Sequence, residues 1–163
     1  MSTVNQVFVK RVAAADNTDS LVKSGKAEIE LRNGDIVAIG DKTNGVYALS
    51  APTEGTTAYG IVYNADFPRY KGVDIGDDPR DLVFPAGTVV NVFIPKKGDE
   101  LAYTVVAGTA SGAKFLNPTT GDTALTYSTT QATKGLSLKI NGTSFVSVGG
   151  ERIKTVEAEV VAE

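Results

Sequence analysis

The fold of this chain is decided by residues 84–100, Phe-Pro-Ala-Gly-Thr-Val-Val-Asn-Val-Phe-Ile-Pro-Lys-Lys-Gly-Asp-Glu. The stretch is rich in β-branched and apolar residues, and Val90, Val92 and Ile94 fall at every second position. This period is typical of a strand with one buried face. Because proline and glycine stand at both ends, the strand cannot continue in either direction. The stretch therefore predicts one short strand bounded by turns.

The same alternation of turns and short apolar runs continues on the N-terminal side. Residues 26–32 alternate between charged side chains and three apolar ones, which we expect to face inward: Ala27, Ile29 and Leu31. Asn33-Gly34 follows, a pair that tolerates the positive φ angles of a tight turn. The pattern predicts a hairpin between 26–32 and a return strand over 35–40.

On the C-terminal side, three further strands are predicted. Residues 101–106 are expected to pair with the strand of 84–100 across the turn Lys96–Asp99. Asn141-Gly142 is expected to join strands 136–140 and 143–148 as a second hairpin. Residues 152–160 fit a strand or a helix. As a strand, this tail would turn inward Lys154, Val156, Ala158 and Val160.

Strands at this spacing, without a long amphipathic helix, predict an all-β fold, a small barrel or sandwich of short antiparallel strands. Residues 1–25 are either a first strand with a loop or an arm that adds a strand to a neighbouring subunit. Residues 26–163 form the barrel or sandwich domain. Within it, 125–163 either complete the barrel or form a small second lobe.

Composition excludes several classes of function. The chain of 163 residues has no Cys, His or Trp, so it lacks disulfides, thiolate metal sites, and the commonest general base. We therefore expect no enzyme activity and no cofactor. The net charge of −3, without a basic stripe, argues against nucleic-acid binding. The sequence shows neither a signal peptide nor a membrane-spanning run, which predicts a protein made in the cytoplasm.

The long loop over residues 64–82 is the best candidate for an interaction site. Loops of this length are usually functional or disordered. Phe67, Arg69 and Tyr70 lie in it and Tyr63 precedes it, and these are the residue types that anchor protein interfaces. The alternative is that the loop folds back on the barrel, with its tyrosine neighbour at the edge of the core.

The same loop carries four carboxylates, Asp74, Asp77, Asp78 and Asp81. Carboxylates at this density could surround a hard cation such as calcium. The spacing is not that of an EF-hand loop, and no glutamate stands at the bidentate position. A solvated turn is the favoured interpretation.

The order of short motifs resembles a known family. It runs through Arg32–Gly40, Ala58–Val62, Pro85–Val92, Lys97–Tyr103 and Leu116–Asp122. This succession is similar to the small β-barrel decoration, or cement, proteins of tailed-bacteriophage capsids. The resemblance covers roughly residues 30–125. The chain departs from the pattern in the 64–82 loop and in about 40 residues after Asp122.

The resemblance implies a structural virion protein on the capsid exterior that clamps neighbouring capsid subunits. Its partners would be the major capsid protein and other copies of itself, with a trimer favoured, and neither nucleic acid nor membrane. A receptor- or glycan-binding module of a phage fibre or bacterial surface is the alternative. The residues expected at the capsid or subunit interface are Val4, Gln6, Val7, Phe8, Tyr63, Phe67, Arg69 and Tyr70.

Overall fold

The computed structural model describes residues 7–11, 22–63, 69–70, 73–74, 83–104, 106–148 and 150–163, of which 7–11, 69–70, 73–74 and 148 are described by their backbone alone. Within these ranges the secondary structure consists of strands, which confirms the predicted all-β class. The strands are β1 (Val7–Arg11), β2 (Val22–Ala27), β3 (Leu31–Arg32), β4 (Ile36–Thr43), β5 (Val46–Ser50), β6 (Tyr59–Val62), β7 (Arg69–Tyr70), β8 (Val73–Asp74), β9 (Val83–Phe84), β10 (Val89–Phe93), β11 (Glu100–Tyr103), β12 (Phe115–Pro118), β13 (Leu125–Ser128), β14 (Ser137–Val148) and β15 (Glu151–Ala162).

Five strands close a small barrel in the order β10-β2-β5-β4-β6. Neighbours are antiparallel except β2 and β5, which run parallel and form the one departure from the antiparallel barrel that the sequence predicts. A barrel of this size has room only for side chains. Its core cluster consists of Ala27, Leu31, Val37, Leu49, Val62, Phe84, Val90 and Val92.

The second layer is a six-stranded sheet in the order β1-β11-β15-β14-β12-β13. Residues 125–163 supply its strands β13, β14 and β15, which lie in one sheet with β1 from the start of the chain. Two further pairs are short, β3 with β9 and β7 with β8. β2 begins at Val22, four residues before the domain boundary expected at residue 26.

A row of three side chains joins the barrel to the sheet. Ile61 pairs in register with Ile36 on one side and with Phe93 on the other, and all three are buried. They pack in one cluster with side chains of the sheet, among them Leu101, Leu116, Leu138 and Val160. The adjacent residues on the same strands, Val37, Val62 and Val92, face the barrel core. β4, β6 and β10 are therefore buried on both faces at this point.

The stretch 84–100 contains the predicted strand, β10, but this strand does not pair as predicted. Val90 and Val92 are buried in the barrel, and the strand ends before Pro95. β11 pairs with β1 and β15, not with β10, so the predicted hairpin across Lys96–Asp99 is wrong. The backbone N–H of Val160 donates to the carbonyl of Asp99 at 2.9 Å, which directs the chain from the barrel into the sheet.

The Asn33-Gly34 turn forms, but the strands beside it do not pair with each other. β3 pairs with β9, and β4 pairs with β5 and β6, so the predicted hairpin is wrong. The chain bends between β2 and β3, which breaks the alternation. Ile29 is consequently 36% exposed rather than buried as predicted, while Ala27 and Leu31 are buried.

Asn141-Gly142 lies inside β14 and marks a β-bulge, because the register with β15 slips between Ile140 and Gly142. The second predicted hairpin is therefore also wrong, and the two long strands meet instead at Val148 and Glu151. The C-terminal tail is a strand, the first of its two predicted alternatives. Its residues Ala158 and Val160 face the core as expected, but Lys154 is exposed because it lies beyond the core.

Candidate functional site

The N-terminal candidates lie on an edge strand. Val7 pairs with Tyr103 and Phe8 with Ala102, which places β1 at the end of the six-stranded sheet. Val4 and Gln6 lie outside the described residues. Since β1 is described by its backbone, its geometry defines a strand edge and not a set of side-chain contacts. An edge of this kind can accept a further strand.

Three of the loop candidates, Arg69, Tyr70 and Asp74, lie on a short antiparallel strand pair. Arg69 pairs with Asp74 and Tyr70 with Val73, so β7 and β8 form a two-stranded pair of their own. Phe67, Asp77, Asp78 and Asp81 lie outside the described residues, and the expected interface and cation sites there stay predictions. Among the described side chains, no three potential metal ligands gather into one group.

Tyr63, the residue expected beside the loop, is positioned by the barrel. Its backbone N–H donates to the carbonyl of Asn91 at 3.1 Å, and its side chain packs, partly buried, against the cluster between barrel and sheet. Tyr63 therefore lies at the edge of the core, as in the alternative interpretation of this tyrosine. Tyr63 is still partly exposed, next to the start of the loop.

A feature that the sequence did not predict is the far end of the β14–β15 hairpin. β12 pairs with β14 at Leu138 and Lys139, and β11 pairs with β15 over Val156–Glu159. Beyond these contacts the two strands pair with each other as far as Val148 and Glu151. We call residues 143–148 and 151–156 the ribbon; Val156, at its base, is the last residue of β15 that pairs with β11. Gly149-Gly150 between its strands is the turn signal that could have indicated it.

The ribbon displays an aromatic side chain on its surface. Phe145 is 51% exposed, and the guanidinium of Arg152 lies 4.1 Å from the centroid of its ring. Lys154 is directly opposite Phe145 in the pairing register and is exposed. Periodicity alone predicts this strand but not the exposure of Phe145, because burial depends on how far the sheet extends past the barrel.

A groove of about 630 Å³ lies on the barrel, against β2 and the turn between β4 and β5. Its lining includes Lys26, Glu28, Asp41, Asn44 and Tyr47. The ammonium groups of Lys23 and Lys42 lie 4.9 and 5.4 Å from the centroid of the Tyr47 ring. The groove thus combines an aromatic ring with charged groups of both signs.

Asp35, where the barrel meets the sheet, is the described carboxylate whose pKa is clearly shifted. Its Oδ2 accepts the N–H of Arg32 at 2.8 Å, and the side chain of Thr123 donates to it as well. Burial raises the pKa of Asp35 to about 6, despite these two bonds and the nearby Arg32 charge. Burial, and then the charge of Asp35, raises the pKa of the buried Tyr103 hydroxyl. Asp35 and Tyr103 are both buried, so their protonation affects the stability of the fold and not the chemistry of an accessible site.

No family model, curated protein or solved structure matches this chain at a level that would establish a relationship. Within the ranges that the structure describes, no helix is long and apolar enough to cross a membrane. A functional interpretation therefore depends on the residues and geometry above.

Proposed function

We propose that the protein is a structural virion protein that binds the outer surface of a bacteriophage capsid and clamps neighbouring capsid subunits. A clamp needs two binding elements on one rigid body. The observation that supports this role is that the β1 edge and the β14–β15 ribbon both belong to the sheet that packs on the closed barrel. The major capsid protein is the proposed partner, together with further copies of the chain, with a trimer favoured.

The mechanism would be stabilisation by mass action. A protein that binds the assembled shell, but not its separated subunits, lowers the free energy of the shell. At a free concentration of 100 times Kd, one site stabilises its partner by about 2.7 kcal/mol. Repeated over many sites, this raises the temperature at which the capsid falls apart. No catalytic step is required.

The test mixes the purified chain with expanded capsids of the phage that encodes it, prepared without this protein. Binding stoichiometry and capsid melting temperature are measured together. Saturable binding that raises the melting temperature supports the clamp. If the chain does not bind these capsids and is instead retained on host cells, the proposal is wrong.

Two variants test the interface residues expected from the sequence. Phe8→Asp places a charge on the edge strand β1, and Tyr70→Ala removes an aromatic side chain from the β7–β8 pair. Each should weaken capsid binding if its segment contacts the shell. If both variants bind like the unaltered protein, these residues are not the interface, even where the protein itself binds the capsid.

The alternative, a receptor- or glycan-binding module, is favoured by one observation, the groove beside Tyr47. Aromatic rings next to carboxylates and amides suit a polar ligand with an apolar face, and the lining includes Asp41 and Asn44. Retention of the chain on host cells, lost in Tyr47→Ala, would support this function. If Tyr47→Ala leaves capsid binding unchanged, the groove does not contribute to binding the capsid.

A further inference from the structure

The ribbon extends the sheet beyond the part that other strands support. Five register pairs, from Ser144 with Thr155 to Val148 with Glu151, continue past the strands β11 and β12, whereas Val156 at the base of the ribbon still pairs with Tyr103 of β11. At about 3.4 Å per residue, they span about 14 Å. A two-stranded ribbon of this length needs packing on at least one face to be stable in water.

The two faces of the ribbon differ. One, which we call the ribbon face, carries Thr143, Phe145, Ser147, Arg152, Lys154 and Val156. It continues the core side of the sheet, since it has the same parity on β15 as Ala158 and Val160. The opposite face is the packed one, since Thr155 is fully buried there and Ser144, Val146 and Ile153 are partly buried. The ribbon face is exposed except at Val156, which packs partly against the core cluster.

The ribbon face is cationic. Arg152 and Lys154 are its charged residues, whereas Glu151 and Glu157 fall on the opposite face by strand alternation. The whole chain has a net charge of −3, so this local positive charge runs against the overall balance. Opposite potentials favour association and exclude wrong partners.

Phe145 supplies the apolar anchor of this face. Half of the side chain is exposed, and the guanidinium of Arg152 stacks against it at 4.1 Å. Aromatic and arginine side chains are enriched among the residues that dominate binding energies. An aromatic ring held by a neighbouring cation is ordered before it binds, which lowers the entropy lost on association.

We propose that the ribbon face docks against an acidic, partly apolar surface on the outside of the capsid subunit, with Phe145 as the anchor and Arg152 and Lys154 paired with carboxylates of the partner. This assignment rests on the proposed capsid-binding function. It identifies the chemistry of the partner surface, and it places the contact at the opposite end of the chain from the arm that the sequence indicates.

Capsid binding is measured for Phe145→Ala and for the double variant Arg152→Glu/Lys154→Glu. The matched control is Lys97→Glu/Lys134→Glu, which makes the same change in charge at exposed positions away from the ribbon. Each ribbon variant should raise the Kd for capsids at least tenfold, and the charge variant should also bind with a weaker dependence on salt. The control should stay within about twofold of the unaltered protein.

Hydrogen exchange provides the second measurement. Amides of 143–148 and 151–156 should exchange more slowly on capsids than in the free chain, because docking covers the exposed ribbon face and opposes local opening. If the unaltered chain does not bind capsids, the proposed function and this assignment both fail. If it binds, and the ribbon variants bind equally well with unprotected ribbon amides, only the assignment is overturned.

Discussion

The side chain of Leu49 occupies the space directly above the α-carbon of Gly25 inside the barrel. A β-carbon on Gly25 would lie 2.6 Å from each δ-carbon of Leu49, well inside van der Waals contact. The two residues belong to the parallel pair β2 and β5. A five-stranded barrel is narrow, so a large side chain on one strand requires a small one on its neighbour.

Gly25→Ala should therefore destabilise the protein by about 1–3 kcal/mol, the usual cost of overpacking a core. The measurement is the free energy of unfolding from urea denaturation. The matched control is Gly55→Ala, at which an added β-carbon meets no atom within 4 Å. The control should change stability by less than about 0.5 kcal/mol. Equal stabilities for the two variants would show that Leu49 moves aside freely.

The stability of the protein should depend on pH through Asp35. Its pKa in the folded state is raised from 3.8 to about 6, mainly by burial, so the folded state binds the proton more tightly than the unfolded state does. The stabilisation by this proton is complete below about 3.8 and is lost as the pH rises through 6. Asp122 adds to the upward shift and Arg32 opposes it.

The variant Asp35→Asn isolates this effect, because an amide cannot ionise and retains an acceptor for the N–H of Arg32. Relative to Asp35→Asn, the unaltered protein should lose about 2 kcal/mol of stability between pH 4 and pH 7.5. Asp41→Asn, an exposed change on β4, serves as the control for the same pH series. A stability difference between Asp35→Asn and the unaltered protein that is constant with pH would contradict the raised pKa.

Local patterns predicted where strands form, but not which strands pair. The period in Val90 and Val92 and the turn at Asn33-Gly34 are properties of a few neighbouring residues, and both are present in the structure. Pairing depends on distant partners, so β3 lies beside β9 rather than β4. Asn141-Gly142 illustrates the same limit, since a residue pair suited to a hairpin also suits a bulge within one long strand.

The candidate site was harder to predict for a related reason. The exposure of Phe145 depends on how far the core extends along the sheet, and the cluster that contains Ile36, Ile61 and Phe93 reaches Val156 but does not include Phe145. An alternating strand pattern gives the same expectation for a buried and an exposed phenylalanine. The sequence did indicate a first strand within residues 1–25, because that inference needs only a short local pattern, and β1 lies there. Its role as an arm stays a prediction.

The stability of the turn after β10 should depend on the buried carboxylate of Asp99. Its Oδ2 accepts the N–H of Lys96 at 2.9 Å, and the residue is fully buried. Asp99→Ala would leave that N–H without its acceptor and should cost about 2 kcal/mol in the free energy of unfolding.

Asp122→Ala is the matched control for the turn, since Asp122 accepts the N–H of Ala124 at 3.1 Å in the same manner but is exposed. Water can replace the carboxylate there, so the loss should stay below about 1 kcal/mol. Asp99→Asn, which keeps an acceptor oxygen, should recover part of the stability. Equal losses at positions 99 and 122 would mean that burial of Asp99 is unimportant for the turn.

Deleting residues 1–11 should expose the edge of β11 and cause self-association. β1 covers β11 through the pairs Val7 with Tyr103, Phe8 with Ala102 and Val9 with Leu101. An uncovered strand edge pairs readily with another chain. We expect a lower melting temperature and, by light scattering, a larger mass per particle than for the full-length chain.

A synthetic peptide of residues 1–11 should bind the truncated protein and restore its melting temperature, because the peptide can replace β1 at the edge. A truncated protein with unchanged melting temperature and mass would show that β1 contributes nothing to the stability of the sheet.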